Sequence, residues 1–285
     1  MTINYEKLLN WQIPAVEQTY SKRDTILYAL GVGLGADPCD NGQLKFVYEP
    51  QLQALPTMSI TLGYPGPWFA HPDTGITRTH TVHGEQIFVI HQPLPVEGTI
   101  VGTNKVVSLI DKGEGRGAVL YTECTVRSKA DNALLSTWTS SLFCRADGGF
   151  GGPAGAGMAQ HPIPDQAADA VCDLPTLPQA ALIYRLSGDY NPLHADPAYA
   201  QRAGFKAPIL HGRCTFGVAG HALVKTMCDY DPARLKSMQG RFSSPVYPGE
   251  TIRTEMWRDG NVVSFRSTVP ARGVTVLNNG RAEIA

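Results

Sequence analysis

Ser187-Gly188-Asp189-Tyr190-Asn191-Pro192-Leu193-His194 is the densest polar stretch of the chain. It lies between a helical segment at 179–186 and a short helix opening near Asp196-Pro197. Pro192 holds Asn191 out of the α region, and Gly-Asp and Asn-Pro are loop punctuation. A smooth helix is excluded here, so Asp189 and His194 can converge on one point across a tight turn. A carboxyl and an imidazole so placed form a general acid/base pair. The same residues also suit a purely structural Asx-turn, with Asp189 on backbone amides and His194 at the surface.

Downstream stands Leu210-His211-Gly212-Arg213-Cys214-Thr215, and the residues from 215 to 227 are apolar or small all round. That pattern predicts a buried helix. Gly217 and Gly220 weaken it intrinsically, so they are expected to let it approach a sheet closely. Gly212 precedes the helix, where free N–H groups and the helix dipole favour negative charge. A carbonyl oxygen acquiring charge could be stabilised there. An ordinary glycine before a helix is the simpler alternative. After the helix, residues 241–246, 250–258, 262–270 and 273–277 read as strands rich in Val, Thr and aromatics.

The first half has the same grammar. Strands are expected at 76–83, 86–94, 98–111, 117–128 and 134–144. Ile26-Leu-Tyr28-Ala-Leu30-Gly31 echoes Ile183-Tyr184-Arg-Leu186-Ser-Gly188, and Pro95-Val-Glu-Gly98-Thr-Ile100 echoes Pro245-Val-Tyr-Pro-Gly249-Glu-Thr-Ile252. Two matches in the same order at similar offsets favour a duplication. Between the copies runs Gly148-Gly-Phe-Gly-Gly-Pro-Ala-Gly-Ala-Gly157, continued by a poorly hydrophobic run. We divide the chain into a repeat at 1–147, a Gly-rich linker at 148–173 and a repeat at 174–285. An ordered glycine loop closing over a ligand is the other reading of that segment. A helix packed on an antiparallel sheet, twice, is an α+β architecture.

Composition narrows the function. The 285 residues carry 24 Lys plus Arg against 25 Asp plus Glu, a net charge of −1. No nucleic-acid footprint is present in that balance. The apolar runs are too short for a membrane span, and the N-terminal residues lack the pattern of a secretory signal. The last residues are not a peroxisomal address, so a cytoplasmic location is expected. Six scattered cysteines, with no Cys-x-x-Cys pair, fit free thiols in a reducing compartment. Gly31-Val-Gly-Leu-Gly35 lacks the βαβ context of a dinucleotide fingerprint. His80-x-x-His83 lacks further ligands for a metal. Cys214 reads as a packed thiol rather than a nucleophile.

The Tyr184–His194 stretch with His211-Gly212 resembles the signature of (R)-specific type 2 enoyl-CoA hydratases, MaoC-like dehydratases with a hot-dog fold. Arg23-Asp-Thr-Ile-Leu-Tyr-Ala-Leu-Gly31, Leu44-Lys-Phe-Val-Tyr-Glu49, His83-Gly84-Glu-Gln86 and Arg241-Phe242-Ser-Ser-Pro-Val-Tyr-Pro-Gly249 extend the resemblance over nearly the whole chain, in the two-repeat form. It implies two tandem hot-dog repeats, each an antiparallel sheet wrapped around a buried helix. It implies reversible hydration of trans-2-enoyl-CoA to (3R)-3-hydroxyacyl-CoA, within fatty-acyl metabolism or β-oxidation. A hot-dog acyl-CoA thioesterase and a non-catalytic acyl-CoA-binding subunit are the alternatives.

By the same resemblance, Asp189 and His194 hold the catalytic water, Asn191 orients the site, and the Gly212 amide receives the thioester oxyanion. His83, Gly84, Lys112, Tyr190, Pro192, Leu193 and Phe242 are implied substrate contacts, with Lys112 suited to a CoA phosphate. No metal and no cofactor are expected, CoA being part of the substrate, and a homodimer is implied. The first repeat has Gly31-Val-Gly-Leu-Gly35 where the second has its acid and histidine, so it is expected to accommodate acyl-CoA without catalysing. The Gly-rich segment departs from the family, which often has an arginine just after Gly-Gly-Phe-Gly-Gly.

Overall fold

The computed structural model describes residues 2–285. The strands are β1 (Val16–Tyr20), β2 (Thr81–Ile90), β3 (Gly98–Asp111), β4 (Ala118–Ser128), β5 (Leu134–Cys144), β6 (Ala170–Pro175), β7 (Leu235–Phe242), β8 (Thr251–Asp259), β9 (Val262–Val269) and β10 (Val274–Ile284). The α-helices are α1 (Tyr5–Leu9), α2 (Lys22–Gly31), α3 (Asn41–Leu44), α4 (Ala180–Tyr184), α5 (Pro197–Arg202) and α6 (Gly212–Met227).

All ten strands form one sheet, ordered β1-β3-β4-β5-β2-β7-β10-β9-β8-β6. Numbered within its own half, each set of five runs first, third, fourth, fifth, second. The duplication read from the sequence is thus repeated in the topology, and the α+β double hot-dog architecture is what the chain adopts. The halves join through their second strands, antiparallel, with Glu85 opposite Arg241 and Phe88 opposite Met238. One continuous core spans both, including Tyr28, Phe46, Trp138, Phe216 and Phe265.

The helices of the two halves are unequal. α6 is buried on nearly every side. In the corresponding place between β1 and β2, the first half has a buried 3-10 turn, Pro56–Thr61. The expectation of a wrapped helix in each repeat is met in full only by the second. Gly217 and Gly220 do allow a close approach, but to the first repeat rather than to a sheet. A Cβ on Gly217 would stand 2.6 Å from Val32 Cγ1 and 2.9 Å from the Tyr28 hydroxyl, and one on Gly220 would meet Thr57. Tyr28 and Tyr184, the repeated positions, face each other with ring centroids 5.9 Å apart.

Several elements differ from their sequence readings. The runs at 76–83 and 86–94 merge into β2, with a register shift between His83 and Glu85. Gly84 sits at that bulge, where a Cβ would come within 2.6 Å of Ser141 Oγ. Of the strand read at 241–246 only Arg241 and Phe242 are strand, the end of β7, a central and mostly polar strand that buries Leu235, Met238 and Gly240. β1 and β6 are short edge strands absent from the sequence reading. β6 lies at the end of the poorly hydrophobic run, and only Cys172 and Leu174 face inward. The Gly-rich segment is ordered against the first repeat. The Asp111 carboxylate accepts N–H bonds from Gly113 (2.8 Å), Gly149 (2.8 Å) and Gly151 (2.9 Å).

Candidate active site

The site forms where the loop after α4 meets the start of α6. Asn191 caps the short turn Pro192–His194, its side chain accepting the Leu193 N–H at 3.1 Å. The Asp189 carboxylate accepts the Asn191 N–H at 3.2 Å. These two bonds fold the loop back so that Asp189 and His194 lie together, as Pro192 and the Gly-Asp step foreshadowed.

His194 is buried, and its Nδ1 lies 2.8 Å from the Ile209 carbonyl. A carbonyl only accepts, so Nδ1 carries the proton and Nε2 is left with a lone pair. Burial lowers the His194 pKa, which keeps the ring neutral near pH 7. For Asp189, burial raises the pKa, but at acid pH the attraction of His211 and His194 in their protonated forms, with that of Arg213, outweighs it and brings it below the ordinary carboxylate value. The pair therefore presents an ionised carboxylate beside a neutral imidazole nitrogen.

A third group, not assigned from the sequence, completes the cluster. His211 stacks on His194, ring centroids 3.6 Å apart and planes 26° from parallel. Its Nε2 donates to the Asp189 carbonyl at 3.1 Å, and Tyr184 lies on the ring at 5.1 Å. Burial first, then the adjacent His194, pushes its pKa down to about 3. His211 braces both the acid and the base. Its only sequence signal was a histidine directly before a helix-opening glycine. Asp189, His194 and His211 each offer a ligand atom within 4.8 Å of the others. Stacked rings, however, aim their in-plane lone pairs side by side rather than at a common ion.

Gly212 opens α6, and its N–H, like the others of a first helical turn, has no intrahelical acceptor. A Cβ there would stand 3.3 Å from Phe242 Cε1, so the phenyl ring closes over the glycine. His83 packs on that ring at 4.5 Å between centroids. Its Nε2 donates to the Glu85 carbonyl, and burial, then Arg213, pushes its pKa down to about 3. One wall from the first repeat (His83, Gly84) and one from the second (Gly212, Phe242) thus meet beside the Asp189–His194 pair.

The remaining residues stand further out. Pro192 and Leu193 are part of the loop itself and half-buried. Tyr190 is exposed, with the Arg185 guanidinium 5.1 Å from its ring centroid. Lys112 follows β3, and its Nζ donates to the Gly155 carbonyl at 2.8 Å, on the Gly-rich segment rather than on the central cluster. Cys214 is buried, its thiol directed at the Gly31 carbonyl and its pKa raised by burial.

A sheet of this topology, one wrapped helix, and an Asp–His loop at that helix's N-terminus define a MaoC-like dehydratase of the double hot-dog type. The "MaoC like domain" model matches residues 159–279, and the "MFE-2 hydratase 2 N-terminal domain" model matches residues 18–146. Enoyl-CoA hydratase 2, peroxisomal, of Arabidopsis thaliana is 38% identical, covering 96% of this chain and 93% of its own. Probable enoyl-CoA hydratase 2 of Dictyostelium discoideum is 39% identical, covering 100% of this chain and 97% of its own. The crystal structure of a MaoC-like dehydratase from Phytophthora capsici superposes with a TM-score of 0.88 at 36% identity, covering 99% of this chain and 98% of that one. The chain belongs to the MaoC-like dehydratase family, in the two-repeat form of the type 2 enoyl-CoA hydratases.

Proposed function

We propose that this protein is a hydro-lyase that reversibly adds water to trans-2-enoyl-CoA, giving (3R)-3-hydroxyacyl-CoA. The observation that carries the reading is the Asp189–His194 pair: an ionised carboxylate beside an imidazole whose Nδ1 proton is committed to Ile209, at the opening of α6. One water can donate to the Asp189 carboxylate and to His194 Nε2, leaving an oxygen lone pair for C3. As the O–C3 bond forms, the C2–C3 π electrons move toward the thioester oxygen, which the Gly212 N–H receives. The water's proton, held by the pair, returns to C2 on the same face, so addition is syn. Asn191 holds the loop that makes this geometry.

In the same reading His83, Gly84 and Phe242 flank the enoyl group, Tyr190, Pro192 and Leu193 line the loop side, and Lys112 meets the CoA phosphates. The reaction asks for neither a redox cofactor nor a metal, and CoA arrives with the substrate. We further infer a homodimer, which sedimentation tests. No described helix is long and apolar enough to cross a membrane. All six cysteines are free, which supports a reducing compartment such as the cytoplasm.

The test is crotonyl-CoA absorbance at the enoyl band, with free thiol measured in parallel. Loss of absorbance without thiol is expected; thiol release would mean a thioesterase. Oxidation of the product by an (S)-specific rather than an (R)-specific 3-hydroxyacyl-CoA dehydrogenase would overturn the stereochemistry.

A further inference from the structure

The first turn of α6 carries one charged side chain that the reaction leaves unused. Arg213 directly follows Gly212 and is only 9% exposed. Its guanidinium carbon lies 4.4 Å from the ring centroid of Tyr64 and 5.1 Å from that of Trp138. Both rings belong to the first repeat, so the side chain reaches from the catalytic helix across the join. Among the described residues no carboxylate pairs with it and none of its N–H groups finds an acceptor. The contrast is with Arg272 on Glu250 at 2.6 Å, Arg266 on Glu255 at 2.8 Å and Arg253 on Asp173 at 2.7 Å, each less buried and each paired.

An unpaired charge at that depth is costly. The aromatic faces compensate part of it, because they meet the flat side of the cation. They leave the donors, which point outward in the guanidinium plane, without a protein acceptor and open at the nitrogens to an incoming group. A ligand that supplies a carboxylate in that plane would complete the pairing with two parallel N–H···O bonds. The charge also belongs to this site, since its field reaches Asp189 and His83.

The substrate's own anions are the CoA phosphates and whatever the acyl chain carries. The phosphates are strongly hydrated and need open water, whereas Arg213 is flanked by two aromatic rings and reaches solvent only through its nitrogens. An acyl chain whose thioester oxygen sits on the Gly212 N–H starts one residue from Arg213, whose side chain reaches into the first repeat.

We propose that Arg213 is a specificity residue for acyl chains that bear a carboxylate, so that the favoured substrates are ω-carboxy trans-2-enoyl-CoAs rather than methyl-terminated ones. This rests on the hydratase reading and goes beyond it by naming the substrate class.

The test compares ω-carboxy and methyl-terminated trans-2-enoyl-CoAs at matched short, medium and long lengths. At one or more lengths the carboxylate is expected to raise kcat/KM about 10- to 100-fold, the scale of a charge-assisted bidentate pair. Arg213→Leu should bring that ratio to one or below, and Arg213→Lys should restore part of it. Any general effect of the lost charge on Asp189 acts on both substrates and cancels in the ratio. Pantetheine thioesters, which lack the nucleotide phosphates, should keep the preference; its loss there would place Arg213 on CoA and overturn the proposal. Should Arg213→Leu not fold, saturated ω-carboxyacyl-CoA should still inhibit the wild-type protein more tightly than its methyl-terminated partner, and equal inhibition would overturn the proposal. A wild-type ratio near one at every length, with methyl-terminated substrates hydrated, sinks the proposal alone. No hydration of any enoyl-CoA sinks the hydratase reading as well.

Discussion

Asp189→Asn isolates charge from shape at the centre of the site. The side chain keeps its size, and an amide oxygen can still accept the Asn191 N–H that Asp189 accepts at 3.2 Å. The His211 bond is made to the Asp189 backbone carbonyl, so it too survives. What disappears is the negative charge and the ability to take a proton from water. A positioned acid or base contributes about 10²- to 10⁴-fold. The expected fall in kcat is of that size, or about 2.7–5.4 kcal/mol of barrier at 1.36 kcal/mol per decade.

Stability should respond in the opposite sense at low pH. Asp189 has its folded pKa below the ordinary carboxylate value. Its ionised form therefore adds stability above the unfolded pKa, and that contribution is lost as pH falls through the folded pKa. The Asn variant lacks this dependence, so its melting temperature should fall less steeply between neutral and acid pH. The assay is initial-rate crotonyl-CoA hydration at saturating substrate, with circular dichroism and thermal melts as the folding control. A folded Asp189→Asn variant with kcat within about threefold of wild type would be far short of acid/base removal, and the pair would not be the water-activating element.

Protonation of His194 should also end activity, because Nε2 then has no lone pair for the water. Its pKa is lowered, so the acid limb of kcat/KM should fall below the ordinary histidine value of about 6.5, and a limb above that value would contradict the assignment. Gly212→Ala places a Cβ 3.3 Å from Phe242 Cε1 and must displace the ring or the helix start. It should lower kcat by about an order of magnitude, given that a 1 Å misplacement can cost about 10²-fold, while the far-ultraviolet spectrum stays native. Lys112→Ala should raise KM for enoyl-CoA with kcat little changed, as expected for lost uniform binding. That effect should vanish with a pantetheine thioester, and an equal loss on both substrates would place Lys112 away from the phosphates.

The catalytic loop was legible because its constraints are local. Pro192, Gly188 and the Asx residues restrict the backbone whatever surrounds them, and the fold obeyed them. The duplication was legible for a similar reason, as turn residues and strand spacing survive divergence. What escaped depended on partners distant in sequence. β7 reads as polar because a central strand joining two repeats takes its hydrogen bonds from β2 and β10, and buries only Leu235, Met238 and Gly240. β6 needs even fewer, being an edge strand on β8. His211 entered the sequence reading only as part of the family signature, without a role, because its role comes from stacking on His194 and bonding to the Asp189 backbone, neither of which a spacing rule encodes. The family pattern supplied His83, Gly84 and Phe242, and nothing local in the sequence would have brought those three together.

The repeats are unequal at the join. Both halves send their second strand to the join. The glycines of α6 let it press on Tyr28, Val32 and Thr57 of the first repeat. The first repeat has the 3-10 turn Pro56–Thr61 in the corresponding place. The first repeat also lacks the acid and histidine, having Gly31-Val-Gly-Leu-Gly35 at the matching loop. One half is thereby left to supply the helix terminus and the Asp–His loop. The other supplies walls, among them His83, Tyr64 and Trp138, that face that terminus. A duplicated fold with a single Asp–His loop can change the walls without disturbing that loop, and Arg213, anchored on α6 but lodged among first-repeat aromatics, sits at that division.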